Sequence, residues 1–124
     1  MRPIYIIGPY EEDPEKWTKR LTTITRLVSE SDRSHEVVIM CPHPMTYLNG
    51  YGDTVNAMTQ SLNGLMMAAH FDESELWVVL ENDGEYTTGM EMEIEMWRIW
   101  RPPESINEMR YEDWTKHLED TWHE

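Results

Sequence analysis

The chain has 124 residues, of which 40% are hydrophobic, and a formal net charge of −14 at pH 7. Its length suits one domain with a single core, and its hydrophobic content excludes a disordered chain, so we expect one domain over residues 1–124. The acidity disfavours a nucleic acid polymer as partner, because such partners are held by Lys and Arg. It fits a solvated, self-repelling surface, and a high-salt habitat would also fit.

The number of cysteines and the hydropathy of the chain indicate its cellular compartment. Cys41 is the single cysteine, which excludes an internal disulfide and indicates a reduced side chain. No apolar run approaches the roughly 20 residues that span a bilayer, so we expect no membrane partner. The first residues lack the basic and apolar regions of a secretory signal peptide. These features predict a cytoplasmic protein.

The first half of the chain alternates apolar runs with amphipathic ones. Residues 2–7 are β-branched and aromatic, which predicts a buried strand, and residues 36–40 predict a second one. Asp13 before a proline predicts a helix start. Apolar residues then follow at helical spacing: Trp17, Leu21, Ile24, Leu27 and Val28. A second helix, capped by Asp53, would carry the apolar face Val55, Met58, Leu62, Leu65, Met66 and Ala69.

The second half continues the alternation and ends irregularly. Residues 76–80 read Leu-Trp-Val-Val-Leu and predict a third strand. A helix then begins near Gly89, with Thr88 as one candidate cap, and a proline pair at 102–103 breaks it. Residues 104–109 weakly indicate a fourth strand. A last helix over residues 111–122 places Trp114, Leu118 and Trp122 on one face.

This order of elements predicts a fold class. Apolar strands that alternate with amphipathic helices indicate a parallel sheet covered on both faces. We therefore expect a small doubly wound three-layer α/β sandwich, Rossmann- or flavodoxin-like, with a parallel sheet of four or five strands. Ligands of such folds bind beyond the carboxyl ends of the strands. Three loops would meet there, at residues 8–10, 41–47 and 81–89.

Glu93 is the most informative residue. At about 100° per residue it falls inside the apolar arc of its helix. The other charged residues of that helix share a polar arc: Glu91, Glu95 and Arg98. A carboxylate on an apolar arc must be paired, hydrogen-bonded or put to use, because burying an unpaired charge is costly. Glu93 is therefore either a nucleophile or general base, or a structural carboxylate bonded to Tyr5 or an arginine.

The predicted loops offer contacts for a ligand, each with a simpler alternative. Gly8 can let a ligand approach or can make a tight turn. His43, between two prolines, can contact a ligand or be an ordinary exposed residue. The segment Thr87-Thr88-Gly89 can hold an anion at a helix start, or Thr88 can simply cap that helix. Dinucleotide, Walker and GxSxG motifs are missing, and the histidine spacing does not suggest a metal, so we expect neither cofactor nor metal.

Two segments together resemble the nucleoside 2-deoxyribosyltransferase superfamily, which includes nucleoside 5′-monophosphate N-glycosidases and small phage-type relatives. One is the strand Ile-Tyr-Ile-Ile-Gly-Pro at residues 4–9. The other is the third strand leading to Gly-Met-Glu-Met-Glu-Ile at residues 89–94. The family pattern is a tyrosine-bearing strand that ends in Gly, and later a Gly, three residues and a Glu on a helix. The order and spacing fit over roughly the first 100 residues.

The resemblance implies an activity and roles. Glu93 would attack the anomeric carbon C1′ of a (deoxy)nucleoside or nucleoside 5′-monophosphate, and Tyr5 would orient that carboxylate. A hydroxyl at Thr87 favours a 5′-phosphate ligand. The expected substrate-binding residues are Gly8, Pro9, Tyr10, His43, Thr87, Thr88 and Gly89. The resemblance also implies a homodimer or a larger homo-oligomer.

Several points remain open from the sequence. The transferases carry an aspartate where this chain has Met67, and bulky residues follow Glu93, which favours a non-catalytic nucleotide-binding module on the same fold. A third hypothesis is an assembly protein whose Trp and Met residues form an interface. The candidates for a general acid are Asp72, Glu75 and Asp83. The candidates that would offset the negative charge near an anionic substrate are Arg2, Arg98 and Arg101.

Overall fold

Parallel strands form the middle layer of the fold. The computed structural model describes residues 2–9, 12–31, 37–40 and 54–121. The strands are β1 (Arg2–Ile7), β2 (Val37–Met40), β3 (Glu75–Leu80) and β4 (Ile106–Arg110). They pair in the order β2–β1–β3–β4, and every pairing is parallel. Tyr5 of β1 lies between Met40 of β2 and Leu76 of β3.

Helices cover both faces of this sheet. They are α1 (Pro14–Ser31), α2 (Thr54–Ala69), α3 (Thr88–Trp100) and α4 (Tyr111–Thr121), and a 3-10 turn spans Pro103–Ser105. Helices α1 and α4 pack on one face, and α2 and α3 pack on the other. The predicted α/β class, with a parallel sheet between two helical layers, is confirmed. None of the described helices is long and apolar enough to cross a membrane.

Local signals set the helix ends. Asp13 caps α1 as predicted, since its Oδ1 accepts the backbone N–H of Lys16 at 3.1 Å. The cap of α3 is Thr87, whose Oγ1 accepts the N–H of Met90 at 3.2 Å. Thr88, the candidate cap in the sequence, is instead the first helical residue, so the alternative that it caps α3 is wrong. The predicted cap Asp53 and the predicted core residue Trp122 lie outside the described residues.

The core under α1 and α4 is aromatic and follows the predicted pattern. All five predicted α1 residues are buried: Trp17, Leu21, Ile24, Leu27 and Val28. Trp77 of β3 stacks on Trp114 of α4, with ring centroids 4.4 Å apart. The indole N–H of Trp114 donates to the carbonyl of Val78 at 3.0 Å, which satisfies a polar group that burial would otherwise leave unpaired.

The core under α2 and α3 is built differently. Helix α2 turns small residues and one leucine toward the sheet: Ser61, Leu65, Ala68 and Ala69. The predicted face is therefore partly wrong, because Leu62 and Met66 are only half-buried. The side chains of Val55 and Met58 are outside the described part. The small face brings α2 close to Tyr5, since a Cβ built on Gly64 would lie 3.6 Å from the Tyr5 hydroxyl oxygen.

The strand order determines where a ligand can enter. The chain leaves β1 toward β2 on one side, whereas β3 and β4 lie on the other side of β1. The connections after β1 and β3 therefore diverge, and the crevice between them is the usual ligand site of open α/β sheets. Residues 8–9 follow β1 and residues 81–87 follow β3, so both flank this crevice.

Two glycines should respond oppositely to alanine. A Cβ on Gly8 would lie 3.2 Å from both Leu21 Cδ2 and Trp17 Cε3, which are buried and close-packed. We expect Gly8→Ala to lower the free energy of unfolding by about 1–2 kcal/mol through overpacking. Gly64→Ala meets only ordinary contacts and should raise that free energy by up to about 1 kcal/mol through helix propensity.

Urea denaturation of the two variants and the wild type measures both effects. A Gly8→Ala protein as stable as the wild type would show that α1 can shift away from β1. The close contact with α1 also gives Gly8 a packing role that the sequence did not suggest.

Candidate functional site

Glu93 lies in the second turn of α3 with its side chain turned toward the sheet. Only 1% of the residue is exposed. It shares this buried face with Gly89, Met90 and Trp97. The inward direction follows from the apolar arc, as predicted. A carboxylate in such a place needs hydrogen bonds, because water does not reach it.

Ser61 of α2 supplies one of those bonds. Its hydroxyl donates to Glu93 Oε2 at 2.8 Å. The Tyr5 hydroxyl donates to the backbone carbonyl of Ser61 at 2.6 Å, and its oxygen lies 3.2 Å from Ser61 Oγ. Ser61 therefore links the phenol of β1 to the carboxylate of α3. All three side chains are buried, so the bonds act in a low-dielectric setting where they are strong.

The chemistry of these groups assigns their protons. A serine hydroxyl has one hydrogen, and here it points to the carboxylate. The phenol hydrogen is directed at the Ser61 carbonyl, whose distance of 2.6 Å is shorter than the 3.2 Å to Ser61 Oγ. Tyr5 thereby orients Ser61, and Ser61 stabilises negative charge on Oε2 and holds its direction. An oriented, ionised carboxylate can attack an electrophilic carbon or stabilise a nearby cationic centre.

Ser61 is the site residue that sequence reasoning missed. It lies four positions before Leu65 and eight before Ala69, so it shares a helical stripe with buried residues. This is the same signal that drew attention to Glu93, a polar residue on an apolar arc. The signal was hidden because Leu62 and Met66 offered a competing apolar stripe on the same helix.

The other predicted site residues are only partly brought together. Thr87 and Gly89 lie within about two turns of Glu93, at the start of the same helix, and Gly89 is buried. The Thr87 oxygen accepts the Met90 N–H, and among the described residues no side chain or carbonyl accepts its own hydrogen. Thr88 is exposed.

Of the predicted site residues in the loops after β1 and β2, only those directly after β1 lie in the described part of the chain. Gly8 and Pro9 follow β1 and are buried. Tyr10 and His43 lie outside the described residues, as does Cys41. The predicted contribution of these loops to a substrate site therefore stays a prediction.

The loop before α3 is fixed by its own contacts. The Tyr86 hydroxyl donates to the Glu108 carboxylate of β4. This hydrogen bond, with a smaller effect of burial, raises the pKa of Tyr86 to about 12. Asn82 Nδ2 donates to Glu85 Oε2 at 3.1 Å, and Gly84 supplies the left-handed turn at φ 75°. These contacts hold Thr87 beside the crevice.

Two arginine candidates for offsetting the negative charge lie at the wrong edge of the sheet. Arg2 begins β1 and lies 3.2 Å from Glu75 Oε2. Arg101 follows α3 and donates to the carbonyl of Ser74 at 3.4 Å. Both are at the amino edge, whereas the crevice is at the carboxyl edge. The third candidate, Arg98, is exposed on α3.

Cations do occur at the carboxyl edge, at the start of α1. Arg20 Nη1 lies 2.6 Å from Glu81 Oε2, and Lys16 Nζ lies 3.2 Å from the same oxygen. Glu81 directly follows β3. Arg20 Nη2 also lies 4.0 Å from Glu112 Oε1, so the two positive charges at this corner face two carboxylates.

The geometry also separates the candidates for a general acid. Asp72 precedes β3 and Glu75 begins it, so both lie at the amino edge, away from the crevice. Asp83 lies in the loop after β3, is exposed, and has Arg110 Nε at 3.6 Å. Asp83 is therefore the only one of the three at the carboxyl edge. Within the described ranges, no group of three or more His, Cys, Asp or Glu side chains could hold a metal ion.

Comparisons with known proteins add no relative. A scan against protein-family models found no match, and searches of curated proteins and of solved structures likewise found none. The resemblance to the deoxyribosyltransferase superfamily therefore stays a prediction that rests on the residues. The same holds for the roles that it implies for Glu93 and Tyr5.

The Tyr86 contact should be visible in an alkaline titration. The folded-state pKa of Tyr86 lies above its ordinary value of 10.0, so the contact stabilises the fold below pH 10 and ceases to do so as pH passes about 12. We expect Glu108→Gln to move the pKa of Tyr86 down toward 10.0, because the carboxylate charge is lost. Tyrosinate absorbance, with Tyr86→Phe subtracted, measures the shift.

Glu104→Gln is the matched control for that titration, since it removes an equal charge from the amino edge. Its curve should superimpose on that of the wild type. Superimposable curves for Glu108→Gln and the wild type would contradict the assignment.

The bond between Ser61 and Glu93 should be measurable as a coupling. Ser61→Ala removes a donor from a buried carboxylate and should lower the free energy of unfolding by about 1–3 kcal/mol. In a Glu93→Leu background the same change should cost at least about 1 kcal/mol less, because no buried charge remains. A double-mutant cycle by urea denaturation gives this coupling.

Glu91→Leu provides the control cycle, because Glu91 is exposed on the opposite side of α3. Its coupling with Ser61→Ala should be near zero. Equal couplings for the two glutamates would mean that Ser61 acts on the fold without a specific effect on Glu93.

Proposed function

We propose that the chain cleaves or transfers at the N-glycosidic bond of a (deoxy)nucleoside or nucleoside 5′-monophosphate, with Glu93 as nucleophile. The observation that carries the proposal is the buried Glu93 carboxylate, held by Ser61 and, through it, by Tyr5. Glu93 and Tyr5 are the two residues to which the sequence resemblance assigns the chemistry. Their meeting around one hydroxyl supports that assignment.

The reaction can be written with these groups. A Glu93 oxygen attacks C1′ while the bond from C1′ to the base nitrogen breaks, and its electron pair leaves with the base, which takes up a proton. The transition state resembles an oxocarbenium ion, so a fixed negative charge lowers its energy. Water then hydrolyses the glycosyl ester and restores Glu93, or a second base takes the sugar.

The helix start favours a phosphate on the substrate. Thr87 carries a hydroxyl that no described residue takes as a donor, and the first N–H groups of α3 favour an anion. Nucleoside 5′-monophosphates are therefore the preferred substrates of the proposal.

A second candidate is a non-catalytic nucleotide-binding module on the same fold. The specific observation in its favour is the near-complete burial of Glu93, because a nucleophile must meet C1′ directly. Met67 also supports it, since it stands where the transferases carry an aspartate and is 68% exposed.

The proposal also covers the fold classification, the oligomeric state, the partners and the location of the protein. It includes a Rossmann- or flavodoxin-like classification, supported by the strand order β2–β1–β3–β4, with which the flavodoxin order begins. It includes a homodimer or a larger homo-oligomer, no nucleic acid polymer as partner, and a cytoplasmic location. The single cysteine supports that location.

An assay of base release tests the proposal. The wild type is incubated with a panel of deoxynucleosides and their 5′-monophosphates, and free base is followed by chromatography. We expect slow release, faster from the monophosphates, and a loss of at least about 100-fold in Glu93→Gln because the amide is a poor nucleophile. Glu91→Gln, an exposed change on the same helix, should keep full activity.

Three outcomes separate the hypotheses. Equal activity in wild type and Glu93→Gln would remove Glu93 from the mechanism. Saturable binding of a monophosphate in calorimetry without release of base would favour the binding module. Added free base that accelerates consumption of the nucleotide and forms a new nucleotide would identify a transferase.

A further inference from the structure

Arg101 is a half-buried cation that no carboxylate pairs within the described part of the chain. The other half-buried arginines and lysines there are Arg2, Lys16 and Arg20, and the charged group of each lies within 3.2 Å of a glutamate oxygen. The Nε of Arg101 is buried without a hydrogen-bond acceptor, and its Nη2 makes one long bond of 3.4 Å to the carbonyl of Ser74. A charge in such a place is costly unless an anion meets it.

A surface pocket of about 410 Å³ lies beside Arg101 at the amino edge of the sheet. Three hydrogen bonds fix the segment that forms one wall. The backbone N–H of Arg101 donates to the carbonyl of Trp97 at 3.0 Å, and the Trp97 indole N–H donates to Ser105 Oγ at 2.8 Å. The Ser105 hydroxyl in turn donates to the carbonyl of Pro102 at 2.6 Å. The wall is therefore ordered before a ligand binds, which lowers the cost of binding.

Three glutamates also line this pocket, and they differ in what they already bind. The two oxygens of Glu75 are occupied, since Oε1 accepts Asn107 Nδ2 at 3.0 Å and Oε2 lies 3.2 Å from Arg2 Nε. Glu73 and Glu104 are exposed, and no described side chain bonds to either carboxylate. The pocket therefore offers one cation and two carboxylates to a ligand.

This set of charges selects the class of ligand. Arg2 and Arg101 contribute two positive charges, and the three glutamates contribute three negative ones, so the pocket carries one net negative charge. A phosphate or a dicarboxylate would be repelled. A ligand with one carboxylate and two cationic groups matches every charge that is left unpaired. A basic α-amino acid has this composition, and its carboxylate suits the planar donors of a guanidinium.

We propose that this pocket binds a free basic α-amino acid such as L-lysine, with the carboxylate on Arg101 and the two ammonium groups on Glu73 and Glu104. The site lies at the amino edge of the sheet, whereas the crevice proposed for catalysis lies at the carboxyl edge. Binding here is therefore independent of the proposed chemistry, and it is measured without a nucleotide.

Titration of the isotope-labelled full chain with L-lysine, followed by NMR, tests the proposal. The indole N–H of Trp97 reports on the pocket because it donates to Ser105, whereas that of Trp114 lies under α4 and donates to Val78. Against sodium chloride of equal ionic strength, we expect the Trp97 signal to shift and to saturate with a dissociation constant of about 1 mM. The Trp114 signal should stay in place. Trp97→Phe and Trp114→Phe assign the two signals.

Charge variants test the contacts one at a time. Arg101→Gln removes the charged donor and should weaken L-lysine by at least about 10-fold. Glu104→Gln removes one exposed carboxylate and should weaken it by about 2–5-fold. Arg98→Gln and Glu91→Gln remove the same charges from exposed positions elsewhere on α3, so their dissociation constants should match that of the wild type.

Ligand variants separate the proposal from a general attraction of cations. L-Lysinamide lacks the carboxylate and acetate lacks the ammonium groups, so each should bind at least about 10-fold more weakly than L-lysine. Equal affinities for L-lysine and L-lysinamide would mean that the acidic rim alone attracts cations and would overturn the proposal. A Trp97 signal that does not move up to about 20 mM L-lysine would also overturn it, and would leave Arg101 as a cation that stabilises the end of α3. So would unchanged binding in a folded Arg101→Gln protein. Should that variant not fold, unchanged binding in Glu104→Gln decides in the same way.

Discussion

The hydrogen bond from Ser61 to Glu93 determines how the layer of α2 and α3 is built. A carboxylate with 1% exposure must be met by a donor, and the donor comes from the neighbouring helix. For that bond to form, α2 must lie close to both β1 and α3. Residues without bulk make this possible: Gly64 leaves room for the Tyr5 ring, and Ala68 faces the sheet. The hydrogen bonds of Tyr5, Ser61 and Glu93 thus require the small residues of α2.

The two faces of the sheet are packed by side chains of different size. Under α1 and α4 large side chains are buried, namely Trp17 and the stacked pair of Trp77 and Trp114. Under α2 the inside is small, and bulk lies outside at Met67 and in the following turn at Phe71. Large apolar side chains on an outer surface raise the free energy of the protein in water unless they are covered. Helix α2 thus lies close to Tyr5 through small residues, and its large apolar side chains are on the opposite, outer surface.

The same contrast explains what the sequence could predict. The first three strands and α1 each follow a single pattern, so their positions and the burial of Trp17 and Leu21 came directly from periodicity. The fourth strand was only weakly indicated, because its residues are half-buried or exposed. Glu93 was found because one charge interrupts a wide apolar arc. Ser61 was missed because a small polar residue on a helix usually faces water. The exposure of Ile99 and Trp100 was also missed, because their arc is wider than the buried face of α3.

The distribution of charge along α2 affects the proposed site. Helix α2 begins at the carboxyl edge, near the start of α3, and ends at the amino edge beside Trp100. Since residues 54–71 carry no charge, one strip of the molecule from edge to edge lacks the acidity of the rest. At one end this strip lowers the repulsion that a phosphate would meet near Thr87. An anion therefore meets less repulsion at this end of α2 than over the acidic surfaces of the chain.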